Sequence, residues 1–216
     1  GANTGKVNTI GDDNTFVGSG AGISVSIGDF NTLLGSNAGG YLSTGVQNLV
    51  AGRNAGRSLQ NANYNTMLGE AAGYTTTSGS QNVMVGEGAG FSNTIGARNT
   101  YVGGGDSSNV GAGYANTEGN DNVALGHQAL KTNISADDNT AIGKKAIYST
   151  VGADNTAVGS DAGYYQTTGT QNTFLGRQAG YGNSGGATGS GNTVMGSNAG
   201  VSLTSGSYNV LSGHNA

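Results

Sequence analysis

Six aromatic residues, Tyr74, Phe91, Tyr114, Tyr148, Tyr164 and Tyr181, each stand two positions after an alanine. Rings spaced regularly along a chain suit sugar binding, because a ring packs on the apolar face of a pyranose while a phenol oxygen hydrogen-bonds its hydroxyls. The same spacing also fits a ladder of rings that stack on one another to close a corner of the fold. Asp121, Asp138 and Asp154 each precede an asparagine, with Asp137 beside the second. Carboxylates brought together can hold Ca²⁺ or serve as the acid–base pair of a polysaccharide-cleaving β-helix, whose carboxyls sit about 5 to 9 Å apart. Solvated turn carboxylates explain the same residues, and the Gly-Asp nonapeptide of calcium-binding β-rolls is absent, so neither a metal nor a catalytic residue is expected. His127 and His214 lie several repeats apart and cannot meet within one chain. The phosphate-loop mimic Gly86-Glu87-Gly88-Ala89-Gly90 lacks the strand–helix context that makes such loops work, and no cofactor is expected.

Composition narrows the classes further. Of 216 residues 43 are Gly and 26 are Asn, charged residues make up 9%, and Pro, Cys and Trp are absent. Collagen, disulfide scaffolds and cysteine-based zinc sites are thereby excluded. A net charge of -4 without a dense basic stretch argues against nucleic acid, and no apolar run approaches the roughly 18 residues that span a bilayer. Few large apolar residues and little charge fit either disorder or a repeat fold whose order comes from stacking.

The register of the repeat favours stacking. Asn followed by Thr, Val or Leu, two mostly apolar residues and Gly recurs twelve times, at Asn14, Asn31, Asn48, Asn65, Asn82, Asn99, Asn122, Asn139, Asn155, Asn172, Asn192 and Asn209. Most spacings are 17; the exceptions are 23, 16 and 20. Counting this Asn as position 0, Gly holds position 4 in all twelve copies and Ala position 7 in eleven. Six extra residues fall between Gly103 and Ala112, three between Gly180 and Gly189, and one is missing between Ala146 and Gly152. The Asn-to-Gly segment never changes length, so it is the structural element and the turns, at 104–111 and 181–188, are the variable surface.

That segment, exemplified by Thr15-Phe16-Val17 and Thr173-Phe174-Leu175, reads as a strand of four or five residues. No Asn-Gly dipeptide occurs, which argues against hairpins and for strands that pair in parallel with their equivalents one coil later, about 4.8 Å away. Twelve coils make an all-β parallel solenoid, a rod about 55 Å long, forming one repeat domain over 1–216. The Asn column is expected to form an amide ladder, the position-4 Gly a corner, and the Ala column a narrow interior. Positions 1 and 3 fall on one strand face and position 2 on the other, and both are apolar. One face lines the coil; the other needs a cover, and self-association is the economical one. Thr at position 1 in eight of twelve copies also raises an ice-binding solenoid, but no second Thr column lies two residues on.

Asn122-Val-Ala-Leu-Gly, Asn139-Thr-Ala-Ile-Gly and Asn155-Thr-Ala-Val-Gly, each with Ala three residues beyond the Gly, resemble the head repeats of YadA-like trimeric autotransporter adhesins. Similar Asn-Thr-x-x-Gly-x-x-Ala-Gly repeats occur in phage tail fibres. The resemblance, which covers nearly the whole chain, implies a left-handed parallel β-roll, a homotrimer, and an extracellular, cell-surface or virion location serving adhesion to a glycan or protein receptor. No family ligand-binding residue carries over. The sequence ends in mid-coil at Ala216, so the repeat is expected to continue beyond it. If this segment itself binds, the six-residue excess with Asp106, Ser107, Ser108 and Asn109 is the first candidate site and the aromatic column the second. The competing classes are a tailspike-like polysaccharide depolymerase and an ice-binding solenoid.

Overall fold

The computed structural model describes residues 1–106 and 108–216. Twelve three-residue strands follow one another: β1 (Thr15–Val17), β2 (Thr32–Leu34), β3 (Leu49–Ala51), β4 (Thr66–Leu68), β5 (Val83–Val85), β6 (Thr100–Val102), β7 (Val123–Leu125), β8 (Thr140–Ile142), β9 (Thr156–Val158), β10 (Thr173–Leu175), β11 (Thr193–Met195) and β12 (Val210–Ser212). They form a single sheet in chain order, each parallel to the next, with equivalent residues paired as in Thr15↔Thr32 and Tyr101↔Ala124. This is a parallel β-solenoid of twelve coils with a repeat close to 17. The strands are shorter than the four or five residues expected from sequence, because position 4 turns away at once. Flanking hydrogen bonds nonetheless extend the ladder: the Thr15 amide donates to the Asn31 carbonyl at 2.8 Å and the Gly35 amide to the Val17 carbonyl at 2.7 Å.

Position 4 is a corner that a side chain cannot occupy. Gly69 has φ 133°, and a Cβ there would stand 2.7 Å from the carbonyl carbon of Gly86 in the next coil. Only glycine meets both demands. Beside the strand runs the amide ladder. Each Asn amide N–H donates to Oδ1 of the Asn one coil earlier, in eleven links of 2.9–3.1 Å. The side chain is used fully in Asn65: Nδ2 donates to Asn48 Oδ1 and the Gly79 carbonyl, while Oδ1 accepts from the amide and Nδ2 of Asn82. Both donors and both lone pairs are satisfied, so a buried amide costs nothing in unmet polarity.

Inside, volume is traded between positions 2 and 8. Leu33, Met67, Met84, Tyr101 and Phe174 point inward from position 2 and are fully buried. Opposite them position 8 is Gly: a Cβ on Gly73 would lie 2.6 Å from Met67 Sδ, and one on Gly113 2.6 Å from the Tyr101 ring. Where position 2 shrinks to Ala124 and Ala141, position 8 becomes Leu130 and Ile147, both fully buried, at φ 53° and 44°; the coil of Ala157 keeps Gly163, where a Cβ would lie 2.8 Å from the Phe174 ring of the next coil. Constant interior volume thus outweighs the conformational cost of non-glycine residues at positive φ.

A second buried amide ladder occupies position 11 in mid-rod. Asn116 Nδ2 donates to Asn93 Oδ1 at 3.1 Å, and Asn133 Nδ2 to Asn116 Oδ1 at 2.9 Å. The flanking coils carry Thr76 and Thr150 at this position, and the first three coils Val25, Leu42 and Leu59, all buried.

Candidate functional site

Position 9 sits just past the glycine-rich turn and stacks from coil to coil as Arg57, Tyr74, Phe91, Tyr114, Lys131, Tyr148, Tyr164 and Tyr181. The six aromatic residues singled out in the sequence are therefore brought together, as two stacks of three. Ring centroids are 5.1 Å apart for Tyr74–Phe91 and 5.4 Å for Phe91–Tyr114. They are 4.7 Å apart for Tyr148–Tyr164 and 5.1 Å for Tyr164–Tyr181. Interplanar angles run from 2° to 23°. In these stacks the rings cover one another's faces and present their edges outward. Stacking of a pyranose on a ring face is thus open only at the ends of each stack, whereas the phenol oxygens remain available along it. Tyr165, at position 10, packs edge-on against Tyr164 and Tyr181.

Cations cap the stacks. Arg57 lies over the Tyr41 and Tyr74 rings, and its Nη1 donates to the Tyr74 phenol at 2.8 Å. Lys131 Nζ sits 4.8 Å from the Tyr148 centroid and donates to that phenol at 2.6 Å. Lys145 Nζ lies 5.6 Å from the same ring and 6.0 Å from Tyr164. Such cation–aromatic contacts fix the rings through their quadrupoles. Desolvation in the stack raises the Tyr164 phenol above its ordinary pKa, and burial does the same for Tyr181, so both are neutral donors at ordinary pH. The cations went unnoticed in the sequence, although counting nine from Asn48 and Asn122 leads directly to Arg57 and Lys131.

The six-residue insertion is confined to 106–111. The Gly105 amide still donates to the Glu87 carbonyl, as position 6 does elsewhere, and the Ala112 amide to Gly103, restoring the register. Between them the loop folds down rather than projecting. Asn109 donates its amide to the Asp106 carbonyl at 2.8 Å, Ser108 its amide to Asp106 Oδ1 at 3.0 Å. The loop backbone rests on Gly88, where a Cβ would stand 3.0 Å from Asn109 Cα. Asp106 and Ser108 are exposed, Asn109 is half-buried with Oδ1 unpartnered, and Ser107 lies outside the described residues. Among the described residues no hydrogen bond links this loop to the aromatic column.

Of the aspartates, Asp121 is gripped by Arg98, whose Nε and Nη2 donate to its two oxygens at 2.7 Å each. The guanidinium holds the carboxyl below its ordinary pKa, and the carboxylate raises that of Arg98. Asp138 and Asp154 are exposed at φ 58° and 59°, and Asp137 accepts from the Asn120 amide at 2.7 Å. His127 is half-buried and His214 exposed, and they lie five coils apart along the rod. No family model, curated protein or solved structure matches this chain.

Proposed function

We propose that this chain is a non-catalytic segment of a left-handed, threefold fibre, displayed outside a cell or on a virion, that spaces or makes attachments to a surface. The observation that carries this reading is the outer face of the sheet. Position 3 is aliphatic in eleven of twelve coils and points outward. Val17 is 59% exposed, Leu175 48% and Met195 40%. With the strand spacing and a width of two side-chain columns, the strip measures about 55 Å by about 10 Å, on the order of 500 Å². That lies at the upper end of what a monomer leaves uncovered. Phe30 and Tyr64, exposed just ahead of the ladder Asn, widen it. An isologous dimer would cover one strip with another, while three rods about a common axis give each strip two neighbours and leave the position-9 corner facing outward.

Asp121, held by two hydrogen bonds from Arg98, has its pKa lowered by that guanidinium, which suits neither the proton donor of a glycosidase nor a free metal ligand. The test is a pair of charges in the strip, Val85→Lys with Val102→Lys. The expected outcome is dissociation, read as a fall in sedimentation mass, with the β-type circular dichroism retained. An unchanged mass places the contact elsewhere.

A further inference from the structure

Three of the chain's eight Lys and Arg residues fall in two consecutive coils: Lys131 in one, Lys144 and Lys145 in the next. Lys131 and Lys145 both aim their ammonium groups at Tyr148. At 4.8 and 5.6 Å from one ring centroid they are at most 10.4 Å apart, close to the Debye length of about 10 Å at 0.1 M salt. Like charges converging on one ring repel unless something neutralises them. The ion pairs among the described residues, Arg53–Glu70 and Arg98–Asp121, lie elsewhere. Asp161 stands one coil on in the column of Lys145, but it forms no ion pair and accepts from Ser160 Oγ at 3.0 Å. In a chain of net charge -4 this is a local basic patch, with the Asp161 carboxylate at its edge.

Beside it is a notch. The coil from Asn139 is one residue short, and its turn closes early, with the Gly152 amide donating to Thr150 Oγ1 at 3.0 Å. The shortfall leaves a cavity of about 130 Å³ lined by Thr132, Ser149, Thr150, Val151 and Thr167. Thr132 and Ser149 directly follow Lys131 and Tyr148 in sequence, which sets the notch one position along the coil from the Lys131–Tyr148 column. The cavity is smaller than the roughly 300 Å³ at which pockets enclose a whole small molecule. It therefore suits one edge of a longer ligand lying on the surface. Thr132, Thr150 and Thr167 donate their hydroxyls to backbone carbonyls, so the walls offer mainly threonine methyl groups and Val151, a surface that meets the apolar face of a sugar ring.

We propose that this corner binds an acidic polysaccharide: Lys131 and Lys145 hold a carboxylate or sulfate group beside Tyr148, while the threonine- and serine-lined notch takes the adjoining sugar. The site lies within one chain and does not depend on how chains assemble. Its failure and that of the threefold fibre are therefore separable. Calorimetric titration of the intact protein with a polyuronate, a sulfated glycan, neutral dextran and inorganic sulfate tests it. At least one acidic polymer should bind, at least tenfold more tightly per site than inorganic sulfate, and dextran should not. The double substitution Lys131→Gln with Lys145→Gln should weaken binding at least tenfold, while Lys6→Gln with Arg177→Gln, equal in charge change, should have little effect. Both double variants should melt close to the parent, since all four side chains reach the surface. No binding to either acidic polymer, equal losses from the two pairs, or sulfate as strong as polymer would overturn the proposal.

Discussion

Asn65 illustrates how one residue type holds the rod together. Its side chain makes four hydrogen bonds that cross from one coil to its neighbours, all buried. Asn65→Ala leaves the Asn82 amide and the Gly79 carbonyl without these partners, at about 1–3 kcal/mol for each group stranded. A loss of roughly 3 kcal/mol in denaturant unfolding is expected, against less than about 0.5 kcal/mol for exposed Asn61→Ala. Equal losses would mean that the ladder is only decoration. Tyr101 is the opposite case: its phenol is fully buried and has no hydrogen-bond partner. Burial raises its pKa well above the ordinary value, and the nearby amides of Asn116 and Asn122 offset this only in part. Above about pH 10 the unfolded chain releases this proton while the folded chain retains it, so the contribution to stability is intact below that pH and falls as pH rises. Tyr101→Phe should raise stability at pH 7 by on the order of 1 kcal/mol and flatten, without abolishing, the alkaline decline. A steeper decline would show that the hydroxyl is satisfied in solution.

Among the coils, the exchange between positions 2 and 8 makes a sharper prediction than any single residue. Ala124→Met alone should overpack against Leu130, at about 1–3 kcal/mol, and Leu130→Gly alone should leave a cavity, at about 2–5 kcal/mol. Together they recreate the arrangement of Met67 with Gly73, so the double variant should be more stable than the sum of the singles predicts by at least about 1 kcal/mol. Strict additivity, measured by thermal or denaturant unfolding, would refute the shared-volume account. This exchange was present in the sequence as Gly-to-Leu130 and Gly-to-Ile147 replacements in the same coils as Ala124 and Ala141, but it becomes legible only once positions 2 and 8 are known to face each other. Strand identity, parallel order, register and the insertion point were legible earlier, because in a stacked repeat a fixed spacing along the chain becomes a fixed spacing in space. Strand length was not, since the corner geometry at position 4, rather than propensity, ends the strand. The second amide ladder stayed hidden because Asn93, Asn116 and Asn133 share their position with Leu and Val in other coils.

For the whole rod, one sheet face is committed to the outside without a cover. The candidate site divides the same way between legible and hidden parts. The aromatic column followed from the repeat, whereas the convergence of Lys131 and Lys145 on Tyr148 joins residues 14 apart at different repeat positions and required the folded coils. The described part of the insertion, 106 and 108–111, in the segment that the sequence marks as the natural place to add specificity, instead folds against Gly88, making it more a compact patch on the preceding coil than an arm reaching outward. Both features lie off the strand face, so a fibre assembled through that face would display one copy per chain at the same level of the rod and gain avidity from weak contacts. The account therefore turns on whether the strand faces meet. Light scattering coupled to size exclusion at micromolar concentration measures this most directly: the expected mass is three times the 21.2 kDa of one chain, and a folded species with the mass of a single chain would contradict it.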